Sequence, residues 1–350
     1  MKILITGNMG YIGPVLIRHL RNEKPNAEII GFDIGYFGAC ITNPDILPES
    51  KVDKQYFGDM RRFPDEMLNG IDAVIHLAGI SNDPIGNQFE DVTLDINYKA
   101  SIQLAKKAKE AGVSSFVFAS SCSMYGAAED SARTEESELN PLTAYARSKV
   151  LTEKGLEPLS SDNFMVTCLR FSTACGWSDR LRLDLVLNDF VAGAIASKKI
   201  TILSDGTPWR PLINVKDMAR AMEWAIDRKI DSGGKFLAIN IGSNEWNYQV
   251  KDLGLGVAKA MAGVEISINE NALPDKRSYR VNFDLFKKLA PLHQPRVTLK
   301  ESIMELKDGL EKLSFSDPDF RNSRFMRLKV LNELQEKGLI NQKLEWTTKR

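Results

Sequence analysis

The sequence predicts an α/β protein with a doubly wound parallel sheet and a smaller second lobe. Short apolar runs alternate with helix-length segments over the first half of the chain. The first run is followed by three glycines and an amphipathic stretch, in MKILITGNMGYIGPVLIRHL. Runs that are apolar throughout indicate strands covered on both faces, as in a parallel sheet between two helical layers.

Six apolar runs predict the strands of the main sheet, with helix-length segments at 87–110 and 143–158 between the later ones. The runs are KILIT, EIIGF, KQYFGD, DAVIHLA, SSFVFAS and FMVTCLRF. They predict a first domain over residues 1–175 that has the topology of dinucleotide-binding sheets.

Beyond residue 175 the alternation becomes less regular, which predicts a second lobe over 176–315. The segments there are helices at 184–197, 216–228 and 249–261 and strands at KITIL and 236–241, some of which we expect to return to the main sheet. A helical extension over 316–350 has apolar residues at helical spacing, and we interpret its helix as packing on the body of the protein or on a partner subunit. These residues are Phe325, Leu328, Leu331 and Leu334.

The composition excludes several classes of partner. The chain has 350 residues, 43% of them hydrophobic and 26% charged, and a formal net charge of zero. No bulk charge favours nucleic acid or anionic lipid, so we expect neither nucleic acid nor a membrane as partner. Without an evident leader or a long apolar span, the sequence predicts a cytoplasmic protein.

The four cysteines and three histidines show no metal-ligand spacing and no C-x-x-C pair. We therefore expect reduced structural thiols and no metal site. These residues are Cys40, Cys122, Cys168, Cys175, His19, His76 and His293.

The three glycines, Gly7, Gly10 and Gly13, predict a phosphate-binding turn between the first strand and the first helix. A turn of this kind lets the backbone approach a pyrophosphate, and the helix N-terminus presents free N–H groups to it. The G-x-x-G-x-x-G spacing also fits an ordinary tight turn.

Asp33, at the end of the second strand, is placed to accept hydrogen bonds from an adenosine ribose, which favours NAD over NADP. A turn cap is the alternative role of this residue.

Tyr145 and Lys149 are four residues apart and therefore share one face of a predicted helix. A hydroxyl-rich strand end, SSCSMYG at 120–126, precedes them. A tyrosine that acts as a base near neutral pH needs its pKa lowered by about three units. A neighbouring ammonium and a cationic nicotinamide ring both favour the phenolate.

These motifs together resemble the extended short-chain dehydrogenase/reductase family, in its nucleotide-sugar epimerase and dehydratase branch. The resemblance covers most of the chain and weakens after about residue 300. It includes the glycine turn, GDM at 58–60, HLAG at 76–79, DINYKA at 95–100, SSCSMYG with the Tyr145 and Lys149 pair, DGTPWRPLINVKDMARA at 205–221 and DKRSYRVN at 275–282.

The resemblance implies a Rossmann-type NAD-binding domain followed by a mainly substrate-binding lobe. It implies Tyr145, Lys149 and Ser121 as catalytic residues. The implied cofactor contacts are Gly7, Gly10, Tyr11, Ile12, Gly13, Asp33, Asp59, Met60, Leu77, Ala78, Gly79, Asn97, Tyr145 and Lys149. The implied contacts to a nucleotide-diphosphate sugar are Ser121, Ser123, Thr173, Arg210 and Arg277.

Two departures from the family pattern bear on the reaction. The 4,6-dehydratases of the family carry an Asp-Glu pair where this chain has Cys122 and Ser123, which disfavours dehydration. Thr173 stands where epimerases commonly place an asparagine on the substrate diphosphate.

The leading hypothesis is therefore an NAD-dependent nucleotide-sugar epimerase acting at C4 through a transient 4-keto sugar. The alternatives are a sugar oxidase or 4-keto-sugar reductase, then a dehydratase and, in a different class, a non-catalytic NAD sensor or scaffold. The resemblance also implies a homodimer in which the helices at 87–110 and 143–158 form a four-helix bundle, with Leu94, Ala105 and Ala108 partly between subunits.

Overall fold

The computed structural model describes residues 1–43, 45–127, 131–272 and 278–347. Its strands are β1 Lys2–Thr6, β2 Glu28–Asp33, β3 Lys54–Phe57, β4 Ala73–His76, β5 Ser115–Ser121, β6 Met165–Phe171, β7 Thr173–Cys175, β8 Lys199–Ile202, β9 Trp209–Asn214, β10 Phe236–Ile241, β11 Asn247–Gln249 and β12 Glu265–Ile268.

Its α-helices are α1 Gly13–Glu23, α2 Asp83–Gln88, α3 Glu90–Leu94, α4 Ser101–Glu110, α5 Ala144–Leu156, α6 Val186–Ser197, α7 Val215–Asp227, α8 Val250–Ala260, α9 Asp284–Leu289, α10 Leu299–Lys312 and α11 Arg327–Glu336. A π-helical segment, Asp95–Ala100, joins α3 to α4. None of these helices combines the length and the apolar character that crossing a membrane requires, within the residues described.

The main sheet has seven strands in the order β10-β6-β5-β4-β1-β2-β3. Every pairing in it is parallel, which confirms the predicted doubly wound sheet. The chain reverses its direction of winding between β1 and β4, so the connections after these two strands diverge at their carboxyl ends. Open sheets of this kind bind ligands in the crevice at that point.

The six predicted strands correspond to β1 to β6, but the predicted helix at 87–110 is interrupted. Helix α2 begins earlier, where Asn82 accepts a hydrogen bond from the Ile85 N–H at 2.9 Å and a proline occupies the first turn. The backbone then leaves helical geometry at Phe89, with φ −126° and ψ 55°, before α3 starts. Local capping and one non-helical residue therefore set boundaries that apolar spacing does not reveal.

Part of the chain beyond residue 175 joins the first domain. Strand β10 pairs with β6 over its whole length, and α7 packs against α1. His19 on α1 and Glu223 on α7 are 2.7 Å apart, and Met218 and Met222 of α7 enter the core beneath β1. The second lobe is built around two small sheets, β11-β9-β7 and β12-β8, with α6, α8 and α10 packed on a shared core.

Helix α11 packs on the body of the protein. Leu331 is fully buried in a cluster with Ile80, Ile85 and Phe89, close to the carboxyl ends of the main strands. Phe325, which precedes the helix, is buried instead in the core of the second lobe. The four residues with helical spacing are thus divided between two cores.

Candidate active site

One cavity of about 750 Å³ lies at the carboxyl ends of the main strands and extends to the second lobe. It runs past the glycine turn and Asp33 on one side and reaches Tyr145, Thr173 and Arg210 on the other. Its volume lies in the upper part of the range for ligand sites. It can therefore hold an extended ligand or two adjoining ones.

The glycine turn borders the cavity through Gly7 and Gly10. Gly7 has φ +74°, and a Cβ there would lie 2.5 Å from the Ala78 nitrogen, so a side chain is excluded both by conformation and by space. The turn is closed by the Gly10 N–H, which donates to the Gly7 carbonyl oxygen at 3.1 Å. Helix α1 follows without a side-chain cap at Ile12, so its first N–H groups are open to an anion.

Asp33 lies at the cavity wall, where β2 ends. Its carboxylate accepts hydrogen bonds from the Met9 N–H at 3.0 Å and the Gly35 N–H at 2.7 Å. Burial raises the pKa of Asp33, and these two hydrogen bonds oppose the rise. The carboxylate is thus fixed in orientation by the backbone, as a ribose acceptor must be.

Most of the other predicted cofactor contacts also lie on the wall. They are Tyr11, Ile12, Asp59, Met60, Leu77, Ala78 and Gly79. Asp59 is paired with Arg61, whose Nη2 lies 2.6 Å from its Oδ2.

Gly13 and Asn97 lie behind the wall and not on it. A Cβ on Gly13 would collide with the Asn8 backbone, so this glycine permits close packing of α1 on the turn. Asn97 accepts a hydrogen bond from the Ile80 N–H at 2.7 Å and donates one to the Ile80 carbonyl oxygen at 2.9 Å. These contacts hold the loop after β4 in place, and direct contact of either residue with the cofactor stays a prediction.

Tyr145, Lys149 and Ser121 meet at the end of β5. Helix α5 begins where Thr143 accepts a hydrogen bond from the Ala146 N–H at 3.1 Å, which sets the register of Tyr145. Lys149 is buried and its Nζ donates to the Ala119 carbonyl oxygen at 2.6 Å. All three predicted catalytic side chains line the cavity.

The charges and the burial of the protein's own groups shift the pKa values of Tyr145 and Lys149. Burial raises the pKa of Tyr145 to about 12; a hydrogen bond with Ser121 and the positive charge of Arg182 oppose this rise, while the negative charge of Asp83 adds to it. Burial lowers the pKa of Lys149 to about 8, and the charge of Glu153 opposes that shift. Tyr145 is therefore protonated at neutral pH until a further positive charge enters the site.

Among the predicted substrate contacts, Ser121, Ser123, Thr173 and Arg210 line the cavity. The Arg210 Nη1 donates to the Trp209 carbonyl oxygen at 2.9 Å, at the end of the cavity formed by the second lobe. Arg277 lies outside the described residues.

Sequence reasoning missed many cavity residues that the fold brings in from the second half of the chain, and four of them are Arg182, Asp184, Tyr279 and Arg327. Two of them belong to DRLRLD at 179–184, where charged residues alternate with leucines after β7; that alternation was a usable signal. Arg182 and Asp184 form a buried ion pair at 2.8 Å. Tyr279 and Arg327 also line the cavity; Tyr279 belongs to DKRSYRVN, which was used to predict Arg277 alone, and no local pattern marks Arg327.

The residues present fit a dinucleotide. The turn excludes a side chain at Gly7, the first N–H groups of α1 are uncapped, and the guanidinium of Arg327 has a buried Nη1 without a hydrogen-bond partner in the described chain. These features suit the pyrophosphate, and Asp33 suits a ribose.

A family model described as the NAD dependent epimerase/dehydratase family matches residues 3–242. An uncharacterized UDP-glucose epimerase of Bacillus subtilis is 29% identical over 253 residues, which cover 70% of this chain and 78% of the relative. A UDP-glucose 4-epimerase of Lactobacillus helveticus is 28% identical over 285 residues, covering 76% of this chain and 83% of that protein.

Solved structures share the fold. A UDP-glucose 4-epimerase of Bifidobacterium longum, in complex with NAD+ and UDP, aligns with a TM-score of 0.74 at 21% identity, over 89% of this chain and 98% of that one. MoeE5 in complex with UDP-glucuronic acid and NAD aligns with a TM-score of 0.75 at 24% identity, over 89% and 99% of the two chains. The chain belongs to the NAD dependent epimerase/dehydratase family, which confirms the family, the enzymatic character and the cofactor that the motifs predicted.

Proposed function

We propose that the protein is an NAD-dependent nucleotide-sugar epimerase that inverts C4 of its substrate with Tyr145 as the base. One observation carries the proposal: Tyr145, Ser121 and Lys149 converge in a cavity that is continuous from Asp33 to Arg210. The cavity thus has a cofactor end, a reaction centre and a second-lobe end for the nucleotide. Several relatives and structural neighbours act on or bind UDP-sugars, so UDP-hexoses are the first candidate substrates.

In the proposed reaction, the Tyr145 phenolate accepts the proton of the C4 hydroxyl as hydride leaves C4. The bound NAD supplies the hydride acceptor and, on return, the hydride donor. Ser121 hydrogen-bonds the same sugar oxygen, and Lys149 stabilises the phenolate by its positive charge. Inversion would require the 4-keto sugar to turn about its diphosphate and present its opposite face for reduction, with Tyr145 giving the proton back to the C4 oxygen.

The surroundings of Cys122 support epimerisation over 4,6-dehydration. Its Sγ is buried and donates to the Arg170 carbonyl oxygen at 3.0 Å, and burial raises the thiol's pKa. Of the two residues that replace the dehydratase Asp-Glu pair, only Ser123 lines the cavity. Neither can serve as the carboxylic acid that elimination of water requires.

A panel of UDP-, dTDP-, GDP- and CDP-sugars incubated with the purified protein tests the proposal, with products followed by NMR. Interconversion of a C4 epimer pair without added NADH is the expected result. A stable oxidised sugar that accumulates with NADH would instead identify an oxidase. Turnover of a keto sugar only with added NADH would identify a reductase.

A homodimer is part of the proposal. Helices α4 and α5 pack closely, since a Cβ on Gly155 would lie 2.6 Å from Ile102 Cδ1, and the α5 residue Leu151 keeps 38% of its surface exposed. Ala105 and Ala108 were predicted at the subunit interface, and that placement is wrong because both are fully buried in the core of one protomer.

Light scattering at micromolar concentration tests the dimer. Leu151→Glu should give a monomer, whereas Leu255→Glu, at an exposed leucine of α8, should not change the mass. A monomeric wild-type protein would contradict the proposal.

We also propose a cytoplasmic location, because all four cysteines are buried free thiols and cysteines stay reduced in the cytosol. Cell fractionation tests it.

A further inference from the structure

The C-terminal segment, defined here as residues 327–347, reaches the cavity through Arg327. It lies beyond residue 242, where the family match ends. The Arg61 Nη1 donates to the Lys343 carbonyl oxygen at 2.8 Å, and the Trp346 Nε1 donates to the Ile34 carbonyl oxygen at 2.8 Å. The Tyr36 hydroxyl donates to the Leu344 carbonyl oxygen. The segment is thus attached to the loops that follow β2 and β3, beside Asp33.

Arg327 is the first residue of α11 and is only 2% exposed, yet it lines the cavity. Its Nη2 donates to the Arg180 carbonyl oxygen at 2.7 Å, and its Cζ lies 4.5 Å from the centre of the Phe37 ring. Its Nη1 is buried and has no hydrogen-bond partner in the described chain. A buried guanidinium N–H in this state is costly unless a ligand accepts its hydrogen bond.

Arg327 differs from the two neighbouring arginines in its ion pairing. Arg180 is paired with Glu49 at 2.8 Å, and Arg182 with Asp184 at 2.8 Å. No carboxylate among the described residues lies within ion-pair distance of Arg327. The Arg327 guanidinium therefore has neither an ion-pair partner nor an acceptor for its Nη1 among the described residues, which favours an anionic ligand there.

The position of Arg327 identifies which part of the ligand it meets. Phe37, beneath its guanidinium, follows closely after Asp33 at the proposed ribose site. The neighbouring Arg182 is near enough to Tyr11 and Tyr145 for its positive charge to oppose the rise that burial causes in the pKa of each. Arg327 therefore lies between the Asp33 end and the Tyr145 end of the cavity, where NAD carries its pyrophosphate.

We propose that Arg327 binds the pyrophosphate of NAD, so that the C-terminal segment supplies a cofactor contact in addition to the glycine turn. This inference rests on the proposed NAD-dependent function. It assigns a role to a residue outside the part of the chain that the family model matches.

The test measures nucleotide affinity on the full chain after bound nucleotide has been removed. Calorimetry gives the Kd of NAD and of ADP, and ligand-observed NMR gives the Kd of adenosine, which has no phosphate. Arg327→Met keeps an apolar contact with Phe37 and should weaken NAD and ADP about 10- to 100-fold, the worth of a charge-assisted hydrogen bond. Adenosine should change less than about threefold, and Arg327→Lys should recover part of the ADP affinity.

The matched control is Lys329→Gln, because Lys329 is an exposed cation on the same helix. It should leave all three affinities unchanged. Melting of the nucleotide-free proteins checks folding; if Arg327→Met does not fold, Arg327→Gln compared with Arg327→Lys measures the same charge effect.

Three outcomes would overturn the proposal. The first is a folded, uncharged variant that binds NAD and ADP as wild type does. The second is a loss of adenosine affinity as large as the loss of ADP affinity, which would make Arg327 part of the adenosine pocket. The third, from a parallel calorimetric titration with UDP, is a loss of UDP affinity without loss of NAD or ADP affinity, which would assign the charge to the substrate. A wild-type protein that binds no NAD would refute the proposed function itself and is thereby distinguished from these results.

Discussion

The Lys149 ammonium lies 5.6 Å from the centre of the Tyr145 ring, one helical turn away on α5. It is held there by its hydrogen bond to the Ala119 carbonyl oxygen at the end of β5. The spacing along one helix brings the two side chains to the same face, and the strand end fixes the direction of the ammonium. This arrangement leads to the first two predictions.

Tyr145→Phe should lower turnover about 10²- to 10⁴-fold, because it removes the proton acceptor and keeps the ring. The melting temperature should stay close to that of wild type. Ser121→Ala should be milder, because it removes a hydrogen bond and leaves the base. Steady-state rates on the substrate found in the sugar panel measure both effects, and near wild-type turnover by Tyr145→Phe would reject the mechanism.

Lys149→Met should move the pH–rate profile towards higher pH. With a pKa of about 8, Lys149 is charged at neutral pH, and its ammonium, 5.6 Å from the Tyr145 ring, favours the phenolate there; its loss therefore leaves less phenolate near neutral pH. The profile of kcat against pH measures the shift. Lys154→Met, at an exposed lysine of α5, is the control and should leave the profile unchanged; an unshifted profile for Lys149→Met would contradict the assigned role.

Asp33→Asn should weaken NAD about tenfold and NADP less, because the carboxylate favours ribose hydroxyls and repels a 2′-phosphate. The amide oxygen can still accept one of the backbone hydrogen bonds from Met9 and Gly35, so the variant should fold. Calorimetry on nucleotide-free protein compares the two cofactors. Tighter binding of NADP than of NAD by the wild type would refute the NAD assignment.

Leu331→Ala should destabilise the protein by about 2–5 kcal/mol, as is typical when a fully buried leucine is truncated. Leu331 is fully buried and belongs to the cluster that joins α11 to Ile85 and Phe89. Urea unfolding measures the free energy. Leu339→Ala, at a leucine 43% exposed in the same segment, is the control and should cost much less; equal effects would show that α11 is not packed as described.

Short sequence patterns were enough to predict most of the strands of the first domain, its glycine turn and the spacing of Tyr145 and Lys149. Strands β1, β2, β4, β5 and β6 are largely apolar because both faces of the sheet are covered there, whereas the edge strand β3 is mostly exposed. The glycine turn could be predicted because only glycine adopts the φ of +74° found at Gly7 without strain. The pairing of Tyr145 with Lys149 follows from the helical repeat alone.

Other features depend on residues far apart in the sequence, and no short pattern encodes them. Strand β10 completes the main sheet beside β6 although the second lobe begins between them. Asn97 carries no local sign that it holds the loop at Ile80. The interruption of the predicted helix at 87–110 likewise came from backbone geometry at Phe89.

The sequence by itself determined the first six strands, the glycine turn and the placement of Tyr145 beside Lys149, because each follows from periodicity or conformation within about twenty residues. Only the tertiary structure decided which charges share the cavity. Arg327 donates to the carbonyl oxygen of Arg180 across 147 residues of chain, and the Arg182–Asp184 pair lies beside it. Such contacts form only when the packing of the two lobes and α11 brings these segments together. The electrostatic potential at one point of the cavity is the sum over all nearby charges, whatever their distance in the sequence.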